Sequence, residues 1–256
     1  MKKVSFIILT ILMLLKCNFG HATGQIPDYL IQGKDTLALH SNPLEAYFKD
    51  KPLKDEIIKV RSTALWRGYI AYFQIIDKKL FVQDIYKEDY FVDRNGKHQE
   101  KLISIYDIVF GERKNFECDF YNGVLISPSG EMLNYVHMGY SSTYENYHLF
   151  EIKDGNLVKQ KNLSAEEFTK LKLQHFEHFK KTSEYKTMLD EMISSFKEMD
   201  EDISDSFGGL SKEEKKKRRK NKYLFEKEKE IEQIKSAQNF IFLFTSNNMK
   251  TIDLPN

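Results

Sequence analysis

His175 and His178 stand three residues apart in SAEEFTKLKLQHFEHF, a stretch with helical periodicity, so both imidazoles reach neighbouring positions on one helix. Two imidazoles are only part of a zinc site, which takes three or four ligands. On a helical wheel His175 shares its stripe with Phe168 and Phe179, whereas Glu177 points to the opposite side. The pair therefore reads as core or rim histidines. His137 or His148 would have to arrive from elsewhere to complete a metal centre, and no metal site is assigned.

Four other groups of residues have types suited to chemistry or binding. Lys215 to Lys222 (KKKRRKNK) is the densest charge run, and Lys217, Arg218 and Arg219 at its centre are candidates for binding an acidic or phosphate-rich partner. Glu226, Glu228, Glu230 and Glu232 follow and nearly balance it, which suits a solvated mixed-charge helix face. Trp66-Arg67-Gly68-Tyr69 holds the only tryptophan. Read as a strand, it puts Trp66, Gly68 and Ile70 on one face and Arg67, Tyr69 and Ala71 on the other, so Trp66 is expected in the core. Arg67 and Tyr69 become the binding candidates, arginine and tyrosine being enriched at interaction hot spots. Tyr135, Tyr140, Tyr144 and Tyr147 offer material for a glycan or peptide surface, with packing as the ordinary role of such residues. Asp84, Glu88, Asp119 and His137, on strands or their ends, are the candidates for a dispersed acid and base. The chain has no GxGxxG, P-loop, GxSxG, HExxH or CxxC pair, which takes most of the support from the common nucleotide enzymes, α/β-hydrolases and zinc proteases and leaves constellations of residues far apart in sequence open. No catalytic residue and no cofactor are assigned.

The elements that must position these residues change character at Ser164. Before it, alternating β-branched and aromatic segments are separated by turn residues: Gly33-Lys34-Asp35, Asp77-Lys78, Pro128-Ser129-Gly130 and Asp154-Gly155. Ser41-Asn42-Pro43 opens a short helix, LEAYFKD. At Ser164, with Glu167 three residues on, a capping box starts a helix at about Ala165. A second helix carries Tyr185, Met188, Leu189, Met192, Phe196 and Met199 at spacings of three and four. Ser211 and Glu214 open a third, which has no apolar residue from Lys212 to Asn221, so Leu224, Ile231 and Ile234 can dock only its second half. NFIFLFTS, short and apolar, reads as a central strand. The expected fold is α+β: an antiparallel β-sheet with a helical lobe inserted before the last strand.

The address comes from the first residues. Lys2 and Lys3 precede the apolar run Val4–Leu15, and small residues follow at Gly20 and Ala22, the order of a secretory signal peptide too short to span a bilayer. Cleavage before Thr23 divides the chain into a signal peptide (1–22) and one α+β domain (23–256), made of a β-rich part (23–163), a helical lobe (164–238) and a returning C-terminal strand (239–256). Removing Lys2, Lys3 and Lys16 takes the 39 basic and 38 acidic residues to 36 and 38, a net charge of −2. That balance exerts no global pull on nucleic acid or anionic lipid, and no nucleic-acid partner is expected. Cys17 raises the alternative of an outer-membrane lipoprotein anchored there, although Lys16 stands where a small residue is wanted. Without Cys17, Cys118 is alone in a strand-like run and reads as a buried hydrophobe.

PDYLIQGKDTLALHSNPLEAYF and TALWRGYIAYFQIIDKKLFVQDI resemble segments of uncharacterised secreted bacterial proteins. The likeness covers under half of the chain and implies a bacterial origin without an activity. Together these readings lead to the expectation of a secreted, periplasmic or envelope-associated protein with no transmembrane span once mature. It is expected to be a non-enzymatic binding or accessory protein that recognises a protein or envelope component. The alternative is an extracytoplasmic hydrolase with dispersed acid and base residues.

Overall fold

The computed structural model describes residues 24–206 and 222–254, apart from residues 55, 59, 61, 94 and 113. Its strands are β1 (Asp28–Gln32), β2 (Asp35–Leu39), β3 (Ile70–Ile76), β4 (Lys79–Val92), β5 (His98–Ser104), β6 (Phe116–Glu117), β7 (Gly123–Asn134), β8 (Thr143–Lys153) and β9 (Asn156–Ser164). Helices are α1 (Leu44–Asp50), α2 (Tyr106–Phe110), α3 (Ala165–Phe179), α4 (Ser183–Ser206) and α5 (Lys222–Leu243). All strands join one sheet ordered β2-β1-β3-β4-β9-β8-β7, with β5 and β6 also on β4; β1–β3 is parallel and the other pairs are antiparallel. The chain is thus α+β with a mostly antiparallel sheet, as its patterning implies.

Local chemistry makes the hairpins. Asp77 and Lys78 take φ of 48° and 65°, and Asp154 and Gly155 take 47° and 72°, the mirror-image turns whose twist suits a two-residue reversal. The second turn is wedged between the two halves of the sheet: Leu80 N–H donates to the Gly155 carbonyl at 2.8 Å, and a Cβ on Gly155 would sit 2.8 Å from the Cys118 carbonyl oxygen. Only glycine fits there. At the other end of the sheet order the edges meet, His40 N–H donating to the Ile126 carbonyl at 2.7 Å and Ile126 N–H to Ser41 Oγ at 3.3 Å. The sheet is curled on itself. Leu30, Phe73, Leu80, Val82 and Leu125 fill its interior. Val124 and Ile126, the alternate residues of β7, face outward and pack with Leu149 and Leu163 under Phe168 and Leu171 of α3. The capping box is complete, with Ser164 and Glu167 each bonding the other's backbone N–H.

Three expectations are corrected. Pro128-Ser129-Gly130 lies inside β7, where the register against β8 shifts after Ser129; the reversal follows Asn134 instead. Val124 and Ile126, four and two residues before it, turn their N–H groups away from β8, to the Met249 carbonyl and Ser41 Oγ, so the missing N–H of Pro128 at the next such position removes no bond to β8. NFIFLFTS forms the end of α5 and a 3-10 turn (Thr245–Asn248). Both ends of the curled sheet are already engaged, and Ala237 and Ile241, four apart, are 0% and 3% exposed, the spacing of a helix face. Residues 249–253 do return to the sheet, as an irregular strap: Val124 N–H donates to the Met249 carbonyl and Ile252 N–H to Glu151 Oε2 at 2.7 Å. Ile231, expected to dock, is exposed. Lys212–Asn221 is not among the described residues beyond Ser206 and before Lys222.

Candidate binding face

Between β3 and β4 the register slips: Tyr72 faces Asp84 while Phe73 faces Val82, leaving Gln83 as an extra residue. Such a bulge re-aims the side chains beside it. Gln83 and Asp84 line one bowl of about 520 Å³, together with Ser104, Tyr106, Glu112 and Lys114. Asp84 Oδ1 accepts from Ser104 Oγ at 2.6 Å and from Ile85 N–H at 2.8 Å. A hydrogen bond to Asp84, with some burial, holds the Tyr86 phenol protonated, pushed up to about 12. Gln83 Nε2 is buried without a partner.

From this bowl a row of tyrosines crosses the outside of the sheet. Tyr29 stacks on Tyr72 with ring centres 5.0 Å apart, and Tyr86 meets Tyr72 edge-on at 5.5 Å. Past Tyr86, β4 pairs only with β5, so residues 87–103 form a two-stranded arm. Its pairs Glu88 with Leu102 and Tyr90 with Glu100 share the face of Asp84 and Tyr86. Tyr90 is 40%, Leu102 42% and Val92 57% exposed. Glu88 lies above the usual carboxylate range, first through partial burial and then through Glu100 beside it; the Tyr90 hydroxyl, donating to Glu88 Oε2 at 3.2 Å, opposes the rise. Lys87 and Lys101 belong to the other face, where Lys87 Nζ donates to the Ile57 carbonyl at 3.1 Å. Neither Glu88 nor Glu100 has an ion-pair partner among the described residues. Like charges side by side on a sheet are unfavourable by themselves.

Arg67 and Tyr69 lie elsewhere, and both are buried, at 6% and 2% exposure, while Trp66 is 52% exposed. This reverses the expected arrangement. Residues 66–68 follow a 3-10 turn (Thr63–Leu65), Gly68 takes φ of 73°, and β3 starts only at Ile70, so strand alternation does not apply to them. Arg67 pairs with Asp28 at 3.4 Å and donates to the Ile26 carbonyl at 2.9 Å and to Tyr140 Oη at 3.0 Å. Asp28 also accepts from Ala71 N–H at 2.9 Å, and Tyr69 donates to Glu45 at 2.7 Å. Burial lifts Asp28 to about 6 against the pull of Arg67. His40, stacked on Tyr140 with centres 4.7 Å apart, is lowered to about 4 by burial. The network fastens Ile26 and Asp28 to the entry of β3 and to the loop after β7.

Of the acid and base candidates, Asp84 alone lines the bowl and Glu88 stands on the arm. Asp119 is exposed beyond β6, and His137 lies in the loop after β7 with Tyr135 Oη 3.2 Å from its Nδ1. Lys217, Arg218 and Arg219 lie outside the described residues. Cys118 is buried and its thiol pushed up by burial, the state of an inert core cysteine. His175 and His178 line one cleft, yet no three His, Cys, Asp or Glu residues among those described are grouped to hold a metal. Gln83, Glu100, Leu102 and the Tyr29–Tyr72–Tyr86 row escaped the sequence reading. One signal was present: the inward residues run Leu80, Val82, Ile85, a break in strict alternation where the bulge lies. No helix among the described residues is long and apolar enough to cross a membrane. Comparisons with protein-family models, curated proteins and solved structures return no match to this chain.

Proposed function

We propose that this is an exported binding or accessory protein of a bacterial envelope, and that it recognises a protein partner through the outer face of the β4–β5 arm. The observation that carries this is the diagonal juxtaposition of Glu88 and Glu100, with no ion-pair partner for either among the described residues, beside exposed Tyr90 and Leu102. Tyrosines with an apolar neighbour are what protein interfaces bury, and two adjacent carboxylates are relieved by a lysine or arginine brought from outside. The leader-like residues 1–22 support the address.

A photo-crosslinking residue at position 90 or 102, introduced into the full chain in a bacterial host that exports it, tests the reading. A discrete adduct from both positions, diminished by Glu88→Lys with Glu100→Lys and missing when the probe sits at exposed Val158 of β9, is expected. Equal labelling from all three positions, or adducts indifferent to charge reversal, would sink it.

A further inference from the structure

The two edges of the β4–β5 arm are not alike. Asp93 N–H donates to the Lys97 carbonyl and Ile105 N–H to the Ile85 carbonyl, each at 2.9 Å, and both pairs continue the register in which Glu88 faces Leu102 and Tyr90 faces Glu100. In an antiparallel ladder, hydrogen-bonded pairs alternate with pairs whose backbone groups point away. Counted from either end, Lys87, Asp89 and Phe91 bond across the arm to Ile103, Lys101 and Gln99, while Glu88, Tyr90, Glu100 and Leu102 turn N–H and C=O outward. On β4 that edge is occupied by the strand's own side chain, Tyr90 N–H donating to Asp89 Oδ1 at 3.1 Å. On β5 no described residue outside the arm hydrogen-bonds the backbone of Glu100 or Leu102.

This open edge is also held in shape. At the tip, Asp93 Oδ1 accepts from Asn95 N–H and Lys97 N–H at 2.9 Å each, and Asp93 Oδ2 from Gln99 Nε2 at 3.2 Å. At the base, β4 runs on into the main sheet. A two-stranded ribbon is marginal by itself, and a third strand is what completes it.

Charge says which strand fits. Asp89 stands directly opposite Lys101 on one face of the arm, whereas the outer face has Glu88 and Glu100 without a cation. A strand laid along β5 puts alternate side chains on that outer face, one beside Glu100 and the next beside Leu102. A lysine or arginine at the first position and an apolar residue at the second are the complement. A second copy of β5 would instead gather four carboxylates on one face. Charges on an edge strand deter indiscriminate pairing, and here they select a basic segment.

We propose that the partner docks by strand addition: an extended segment of another protein, with a lysine or arginine two residues from an apolar side chain, pairs its backbone with Glu100 and Leu102 along the free edge of β5. This rests on the arm being the binding face and adds how the partner is held.

The test uses the full mature chain and a library of short dye-labelled synthetic peptides, rich in threonine and valine, each with one lysine two residues from a leucine; a matched set has glutamate for lysine. At least one lysine peptide binds saturably by fluorescence polarisation, and its glutamate counterpart binds about tenfold more weakly or worse. Binding slows amide hydrogen exchange at Glu100 and Leu102 about tenfold or more. Leu102→Pro removes an N–H that the arm itself does not use, at an edge position where proline is tolerated, and weakens binding about tenfold or more, whereas Leu102→Ala, which keeps the N–H, weakens it less. If Leu102→Pro does not fold, exchange in the unmutated chain decides. Equal affinity in the two variants, or binding without protection at Glu100 and Leu102, overturns strand addition and leaves the outer face as the docking surface. No binding by any lysine peptide also overturns it, while cross-linking from positions 90 and 102 judges the face separately. Self-association of the chain that Leu102→Pro abolishes would give the edge to a second copy and overturn it as well.

Discussion

Asp28→Asn should tilt the acid limb of the stability profile, because two buried groups of one network titrate in opposite senses. Asp28 has its pKa raised in the folded state, from 3.8 to about 6. Between those values the folded chain binds the extra proton, so this stabilisation is fully present below about pH 4 and is lost as pH rises through 6. At 1.36 kcal/mol per unit, the swing is about 3 kcal/mol. His40 is lowered from 6.5 to about 4. There the unfolded chain binds the extra proton, so stability is full above pH 6.5 and is lost as pH falls toward 4, by up to about 3 kcal/mol, less in proportion to the water that reaches the ring. In the wild-type chain the two swings nearly cancel between pH 4 and 6.5. Asn keeps the oxygen that accepts from Ala71 and Arg67 but cannot titrate, so the variant gains stability with rising pH across that window. His40→Phe keeps the ring that stacks on Tyr140 and should lose stability over the same range. Urea unfolding followed by circular dichroism at half-unit steps from pH 4 to 7 reads both slopes, and differences from wild type remove the contribution of every other group. Parallel profiles for Asp28→Asn and wild type would refute the reasoning.

Arg67→Met leaves Asp28 buried without its cation and strips donors from Tyr140 and the Ile26 carbonyl. A loss of about 3–5 kcal/mol in urea unfolding at pH 7 is expected, and a loss below about 1 kcal/mol would mean that the pair is not held as described. Ser164→Ala opens the capping box of α3 and should lower stability by about 1 kcal/mol, with Glu167→Ala adding little once Ser164 is gone. Additive losses in that double-mutant cycle would show the two caps acting separately.

What was legible in the sequence was whatever a few adjacent residues decide among themselves. Asp77-Lys78 and Asp154-Gly155 make tight reversals through their own backbone preferences, and Ser164 with Glu167 starts a helix through hydrogen bonds within one turn. Asp84 and Glu88 could be named as carboxylates on a strand, but their surroundings could not. Tertiary structure decided the rest. Trp66 is outside and Arg67 inside because Gly68 turns the chain before β3, and the buried position of Arg67 exists only because Asp28, Tyr140 and Ile26 converge from distant parts of the chain. NFIFLFTS, apolar enough for either element, is helical where the meeting of β2 and β7 closes the ends of the main sheet order and α3 and α4 offer a face for Ile241. The bulge at Gln83 is a matter of register between two strands, and register decides which carboxylates share a face. Turns and caps follow from neighbours in sequence; burial, the company a charged group keeps and the form of an ambiguous apolar segment follow from which surfaces meet.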